Sequence, residues 1–246
     1  MKRLEIPHII HQIWSGLDEP LPKRFEILGK TWKYDYPTWK YEFWDNERMN
    51  TFVQQKFPQY WDNYCKFPYD IQRWDAIRYL ILKEVGGMYV DFDYESVRPL
   101  DELTQDKTCC FSMEPASHYK RQEADKAFTF NNAMMLSVPN HEFMNKIVEQ
   151  IFQDDNVIRK EDSKAFTVFK TTGPFILNQL YNQQTDEEKK QIYLIPSDFV
   201  SPYDYKQVEM VRNNIVTKYL EDRLVNAYAI HHYLGAWIPK KENEHE

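Results

Sequence analysis

Apolar residues recur at helical spacing over residues 68–85, at Ile71, Trp74, Ile77, Leu80, Ile81 and Val85, and the run breaks at Gly86-Gly87 into the strand-like Met88-Tyr89-Val90. Similar alternation along the chain predicts strands at 9–14, 39–44, 109–113, 128–137, 192–195 and 228–232. Between them, helical patterns cover 22–32, 47–57, 141–152 and 173–181, the last with Pro174 in its first turn. Strands and helices interleaved in this way predict an α/β domain. The polar stretch 114–126 reads as a mobile loop. Over 207–224 a helical pattern is interrupted by Asn213-Asn214 and the β-branched Ile215, Val216 and Thr217.

Chemistry concentrates after the glycine pair, where Asp91 and Asp93 follow the apolar strand. Continued strand alternation would point both carboxylates, and Tyr89, to one face, with Phe92 turned into the core. Two hard oxygen ligands on one face suit Mn²⁺ or Mg²⁺, and such an ion suits a diphosphate. The plain alternative is a solvated acidic turn. Asp75 and Arg78 lie three apart on the preceding helix, as a surface ion pair would, but an arginine fork also suits a sugar hydroxyl or a phosphate oxygen. Tyr89 could offer its hydroxyl to a phosphate or serve as a core tyrosine. Ile13 and Trp14 end the first strand, where α/β sheets bind nucleotides at their carboxyl edge.

The string Trp74-Asp75-Ala76-Ile77-Arg78-Tyr79 followed by Gly86-Gly87-Met88-Tyr89-Val90-Asp91-Phe92-Asp93 resembles the signature of glycosyltransferase family 32. That family is related to the large glucosylating toxins and to fungal Golgi mannosyltransferases. Ile6-Pro7-His8-Ile9-Ile10-His11-Gln12-Ile13-Trp14 is similar to its first strand, and Ala229-Ile230-His231-His232-Tyr233-Leu234-Gly235-Ala236-Trp237 to its closing segment. The resemblance implies a GT-A type fold, a Rossmann-like central mixed sheet flanked by helices in a single domain. It also implies metal-dependent transfer with retention of configuration. Carried over residue by residue, it gives Asp93 as direct metal ligand and Asp91 as a ligand through water or a contact to ribose and sugar. Asp75 and Arg78 then hold the donor sugar, Trp14 stacks on the base, and Asn132, beside Asn131, supplies a polar sugar contact. His232-Tyr233-Leu234-Gly235 resembles the metal-binding His-aromatic-x-Gly of glycogenin-type transferases, which points to His232 as a third ligand and to Trp237 as a wall of the donor site. Relatives often keep a Ser near that Trp, where this chain has Gly235-Ala236. Thr172-Gly173-Pro174 resembles a family element at a helix start.

Composition narrows the partners. The 246 residues are 42% hydrophobic and 16% aromatic, with 17 Tyr and 7 Trp, enough for one full core and for ring-stacking at a site. A net charge of -7 excludes nucleic acid as the expected partner, because a phosphate backbone demands a basic stripe. Three cysteines, two of them adjacent, and no C-x-x-C spacing suit a reduced protein without structural zinc. The charged start, Met1-Lys2-Arg3-Leu4-Glu5, does not read as a signal peptide, and no run of about twenty apolar residues spans a bilayer. The expected location is therefore cytoplasmic, at the inner face of a membrane where peripheral association serves a lipid-linked acceptor.

Together these readings describe one catalytic domain over 1–246, its 1–103 part binding the nucleotide sugar and its 104–246 part facing the acceptor. The expected reaction moves a sugar from a nucleotide diphosphate donor, UDP favoured, to a glycan or glycolipid in capsular or exopolysaccharide synthesis. A metal-dependent phosphotransferase or phosphohydrolase is the alternative enzyme, and would need a second carboxylate cluster. A non-catalytic carbohydrate-binding protein is the third reading.

Overall fold

The computed structural model describes residues 5–120 and 129–235. Its strands are β1 (Ile9–Ile13), β2 (Lys40–Trp44), β3 (Gly87–Val90), β4 (Tyr94–Ser96), β5 (Cys109–Met113), β6 (Phe130–Ser137), β7 (Tyr193–Ile195) and β8 (Ala229–His231). Six of them form one mixed sheet in the order β2-β1-β3-β6-β5-β7, and β4 pairs with β8 in a separate ribbon. β1 runs parallel to both β2 and β3, so the carboxyl ends of these three strands share one edge, where Trp14 N donates to Trp44 O at 3.0 Å. β6 runs antiparallel between β3 and β5, and β7 adds parallel to β5.

Side chains alternate across the sheet into two cores. Met88 and Val90 pack with Ile10, Trp32 and Met134 on one side, while Tyr89 packs with Phe111, Met135 and the helix Asp70–Glu84 on the other. That helix begins at Asp70, two residues later than the apolar spacing suggests, and is buried nearly all round, its buried positions including Asp75 and Arg78. Its neighbours are the sheet and the helices Glu142–Ile151, Asn46–Lys56, Trp61–Lys66 and Lys164–Thr171. An ion pair placed there cannot be the ordinary surface pair that i,i+3 spacing usually means.

The glycine pair closes the helix against the sheet. Gly86 and Gly87 have φ of 71° and 100°, and a Cβ would stand 2.8 Å from Ser137 O at the first and 2.6 Å from Ile9 O at the second. Only glycine lets the chain leave the helix and enter β3 so close to its neighbours.

Several expectations are adjusted. Residues 207–224 form two helices, Tyr205–Arg212 and Lys218–Leu224, because Asn214 takes φ of 58° and ends the first. Of the expected mobile loop, residues 121–128 lie outside the described residues, while its start is anchored: Glu114 is buried, accepts from Asn131 Nδ2 and lies 2.6 Å from His118 Nδ1. Asn131 and Asn132 sit inside β6, both buried. The cysteines are free, and Cys109 and Cys110 are buried. Among the described residues no helix is long and apolar enough to cross a membrane.

Candidate active site

A pocket of about 580 Å³ opens at the carboxyl ends of β1 and β3. Ile13, Trp14, Arg78, Tyr89, Asp91 and Asp93 all line it, and Gly235 closes it from the far end of the described chain. Trp14 stands edge-on to Phe25, with ring centroids 5.4 Å apart, and its indole N–H donates to Glu19 O at 2.9 Å. One edge of the indole is thus held while the ring forms a wall of the cavity. Trp74, Tyr69 and Lys164 also line the cavity, and the sequence did not mark them as site residues. Trp74 could have been found from its place one residue before Asp75 on a helix aimed at the sheet edge, whereas Lys164 carried no signal.

β3 ends at Val90, and Asp91, Phe92 and Asp93 form a turn closed by Tyr94 N donating to Asp91 O at 3.1 Å. Strand alternation therefore holds for Tyr89 and Asp91, whose side chains hydrogen-bond directly, but the turn, not the strand, brings Asp93 into the pocket. Tyr89 gives its hydroxyl to Asp91, and its buried ring lies 4.7 Å from the Arg78 guanidinium. The hydroxyl expected for a phosphate is thus committed to a carboxylate in this structure.

Arg78 links the two acidic groups. Its guanidinium lies 3.0 Å from Asp75 Oδ1 and 3.3 Å from Asp91 Oδ1, donates to Asn132 O at 3.0 Å and, through Nε, to Trp74 O at 3.2 Å. Asp75 also accepts from Asn132 Nδ2 at 3.0 Å and from Thr172 Oγ1 at 2.9 Å. Burial pushes the Asp75 carboxyl up to about 6 against the pull of Arg78 and these donors, leaving it ionised at neutral pH. Burial works against the Arg78 charge and is the largest single influence, but Asp91, Tyr89, Asp75 and Tyr79 together outweigh it and raise the pKa. Asp75 and Asn132 stand behind Arg78 and do not line the cavity, so the sugar contacts expected of them are filled here by protein groups. Thr172 of the Thr-Gly-Pro element serves this buried network, and its carbonyl accepts from Tyr79 Oη at 2.7 Å.

The two aspartates differ. Burial raises the Asp91 pKa and the neighbouring Asp93 charge adds to it. At Asp93 burial pushes the same way, but His231 and the Leu234 amide win and hold it below the usual carboxylate range. Asp93 Oδ1 lies 3.4 Å from His231 Nε2, and Oδ2 accepts from Leu234 N at 2.9 Å.

The expected third ligand, His232, is placed elsewhere: its Nε2 lies 2.9 Å from Glu95 Oε2, and only its backbone N–H reaches Asp93, at the carbonyl oxygen. The cause is register. β8 pairs antiparallel with β4 so that His231 lies opposite Tyr94, and consecutive residues face opposite sides. His231 stacks on Tyr94 with centroids 4.2 Å apart and turns toward Asp93, while His232 turns out to Glu95. Trp237 lies outside the described residues.

Among the described residues no group of three or more His, Cys, Asp and Glu side chains is arranged to hold a metal ion. Asp91 and Asp93 are nonetheless a fitting donor set for a hard divalent ion whose other ligands come from a diphosphate and water, since both line one pocket and a cation would offset the burial that chiefly raises Asp91 and the Asp93 charge that adds to it.

Residues 22–110 match the model of the glycosyltransferase sugar-binding region containing a DXD motif, a span that includes Asp75, Arg78, Tyr89, Asp91 and Asp93. Over residues 22–110 the chain is thus similar to DXD glycosyltransferases, and its fold is of the GT-A type. The chain is 25% identical over 197 residues to inositol phosphoceramide mannosyltransferase 1 of Schizosaccharomyces pombe, covering 78% of this chain and 56% of that protein. It is 28% identical over 200 residues to mannosyl phosphorylinositol ceramide synthase CSH1 of Saccharomyces cerevisiae, covering 79% and 48%. The chain thus spans about half the length of the curated relatives it matches. In fold it is similar to the UDP-bound glycosyltransferase domain of the YGT toxin, with a TM-score of 0.52 at 10% identity over 90% of this chain and 89% of that one.

Proposed function

We propose that the DXD region works as a metal-dependent, retaining glycosyltransferase that moves a sugar from a nucleotide diphosphate donor to a glycolipid or glycan acceptor. The observation that carries this reading is the convergence of Trp14, Arg78, Asp91 and Asp93 on one pocket from β1, the buried helix and the turn after β3. Trp14 offers a ring face for a base. Asp91 and Asp93 would hold Mn²⁺ or Mg²⁺, which when bound supplies Lewis-acid stabilisation of the departing diphosphate. Arg78 fixes Asp91 through the charge pair at 3.3 Å and places positive charge at the pocket wall, where the sugar and phosphate of a donor would lie. In this reading the 1–103 part binds the donor and Asp75 acts on it through Arg78.

The named fungal relatives favour a lipid acceptor over a capsular polysaccharide, and mannose among the sugars. The resemblance to the toxins favours UDP as carrier, so donor identity is the point to test. Three free cysteines agree with a reducing, cytoplasmic setting. Thermal-shift screening of UDP- and GDP-sugars with and without Mn²⁺ tests the proposal. The right donor should stabilise the protein by about 2 to 3 kcal/mol at a hundredfold excess over Kd, and only with metal. Absence of stabilisation by every nucleotide sugar, with or without the ion, would refute it.

A further inference from the structure

Tyr233 stands where the backbone favours glycine. Its φ is 48°, and the other non-glycine residues with positive φ among those described are Asp106, Asn140 and Asn214, types that adopt it readily. The cause is the wrapping of the chain around Asp93. His232 N donates to Asp93 O at 2.8 Å, Leu234 N donates to Asp93 Oδ2 at 2.9 Å, and Tyr233 lies between the two donors. A bulky side chain persists at such a position only when its surroundings hold it there.

Those surroundings form a seat that is fixed without Tyr233. Glu114, buried just past β5, accepts from Asn131 Nδ2, and Asn131 Oδ1 accepts in turn from Ser112 Oγ at 2.7 Å and from Ala133 N at 2.9 Å. His118 Nδ1 lies 2.6 Å from Glu114 Oε2, and its ring stacks on Tyr205 with centroids 3.9 Å apart. Ser117 Oγ donates to Asp204 Oδ2 at 2.9 Å, tying the same turn to the start of the helix Tyr205–Arg212. Into this seat Tyr233 sets its ring, 4.6 Å from Tyr205 and 5.2 Å from His118, with its hydroxyl donating to Glu114 Oε2 at 3.4 Å. The same ring lies 4.0 Å from His231, whose Nε2 is 3.4 Å from Asp93 Oδ1. His231 and Leu234, the two groups on the Asp93 carboxylate, therefore bracket Tyr233 in the chain.

We propose that Tyr233 is a positioning residue for Asp93: its ring, seated among Glu114, His118 and Tyr205, holds the left-handed turn that keeps the Leu234 amide and His231 on that carboxylate. The consequence for metal-assisted donor binding rests on the glycosyltransferase reading above, whereas the hold on the Leu234 amide does not. Arg212, which donates from Nη2 to His232 O, is the rival hold on the segment.

Two measurements on the full chain test this: hydrogen exchange of the Leu234 amide without ligand, read by NMR, and calorimetric titration of UDP and of GDP in Mn²⁺ and in EDTA. Tyr233→Ala should speed Leu234 exchange and weaken nucleotide binding in Mn²⁺, each by about tenfold, the scale of one lost aromatic contact. Binding in EDTA should stay as in the parent. Tyr233→Phe should restore both, since it keeps the ring. Tyr205→Ala, at an exposed position in the seat, should move both in the same direction as Tyr233→Ala without altering the turn itself. Tyr233→Gly gives the sharpest contrast, because glycine relieves the backbone. A turn set by its own conformation would then hold the amide as the parent does, whereas a seated ring predicts its release. Unaltered exchange in Tyr233→Ala or Tyr233→Gly, or a loss of nucleotide affinity equal in Mn²⁺ and EDTA, overturns the proposal. So does Arg212→Gln releasing the amide as far as Tyr233→Ala does, which assigns the segment to the arginine. If Leu234 exchange responds as expected while neither nucleotide binds the parent, the positioning role stands and the glycosyltransferase reading falls.

Discussion

Arg78→Met removes the guanidinium but keeps most of the volume, and the structure predicts a large effect from charge alone. Arg78 and Asp75 have side chains 7% and 6% exposed and lie 3.0 Å apart, while the second partner, Asp91, is 30% exposed at 3.3 Å. At an effective dielectric of about 20, a unit pair at 3.0 Å attracts by roughly 5 kcal/mol before desolvation is counted. Removing one partner leaves Asp75 as a buried, uncompensated charge, for which a loss of about 3 to 5 kcal/mol is typical. Asp91 adds less, since water reaches it. For a chain of this size that loss lowers the melting temperature by roughly 6 to 20 °C.

Urea titration of Arg78→Met, Asp75→Asn and the double variant separates the terms. The double variant should recover stability relative to Arg78→Met, because it neutralises the orphaned carboxylate. The deficit of Arg78→Met should be largest at high pH and shrink as pH falls from the variant's further raised Asp75 pKa to about 6, below which the parent's Asp75 is protonated too and the difference levels off. A single variant within about 1 kcal/mol of the parent, or a double variant no better than Arg78→Met, would show that the network does not hold the site.

Asp93→Asn keeps an oxygen for the Leu234 amide but drops the charge, so the fold should persist while metal-dependent transfer falls by roughly two orders of magnitude or more; full activity with Mn²⁺ would sink the site assignment. Trp14→Ala should weaken nucleotide binding by about 1 to 3 kcal/mol with little change in turnover at saturation, and an unchanged calorimetric affinity contradicts the stacking role. His231→Gln should impair metal-dependent nucleotide binding more than His232→Gln, because only the former faces Asp93; equal effects would place both in the fold alone. His11 is buried, accepts from Trp44 Nε1 at 3.1 Å and donates to Gly86 O at 2.9 Å, and burial brings its pKa down to about 4 from the ordinary 6.5. The unfolded chain therefore takes the proton first as pH falls, so this contribution is complete above 6.5 and lost toward 4, a span worth at most about 3 kcal/mol. His11→Gln should flatten the stability profile across that window, and an unaltered slope in denaturation midpoints argues against it.

The sequence alone determined the elements whose residues interact locally. Apolar spacing marked the buried helix, the glycine pair marked the turn into β3, and the linear string Asp75-x-x-Arg78 to Asp91-x-Asp93 carried the chemistry, because residues a few positions apart are neighbours in any helix, turn or strand. The same locality made the two helices after 205 hard to separate from one, since a single left-handed Asn214 decides the break. Tertiary structure decided what depends on chain segments far apart. That Arg78 and Asp75 are buried follows from helices packing on both sides of theirs, which no i,i+3 spacing reveals. That Asn132 and Thr172 serve Asp75, 57 and 97 residues away, follows from β6 and the helix Lys164–Thr171, which Thr172 caps, being packed against the same helix. And that His231 rather than His232 turns toward Asp93 rests on one register, the pairing of β8 with β4, in which a slip of one residue would exchange the two side chains.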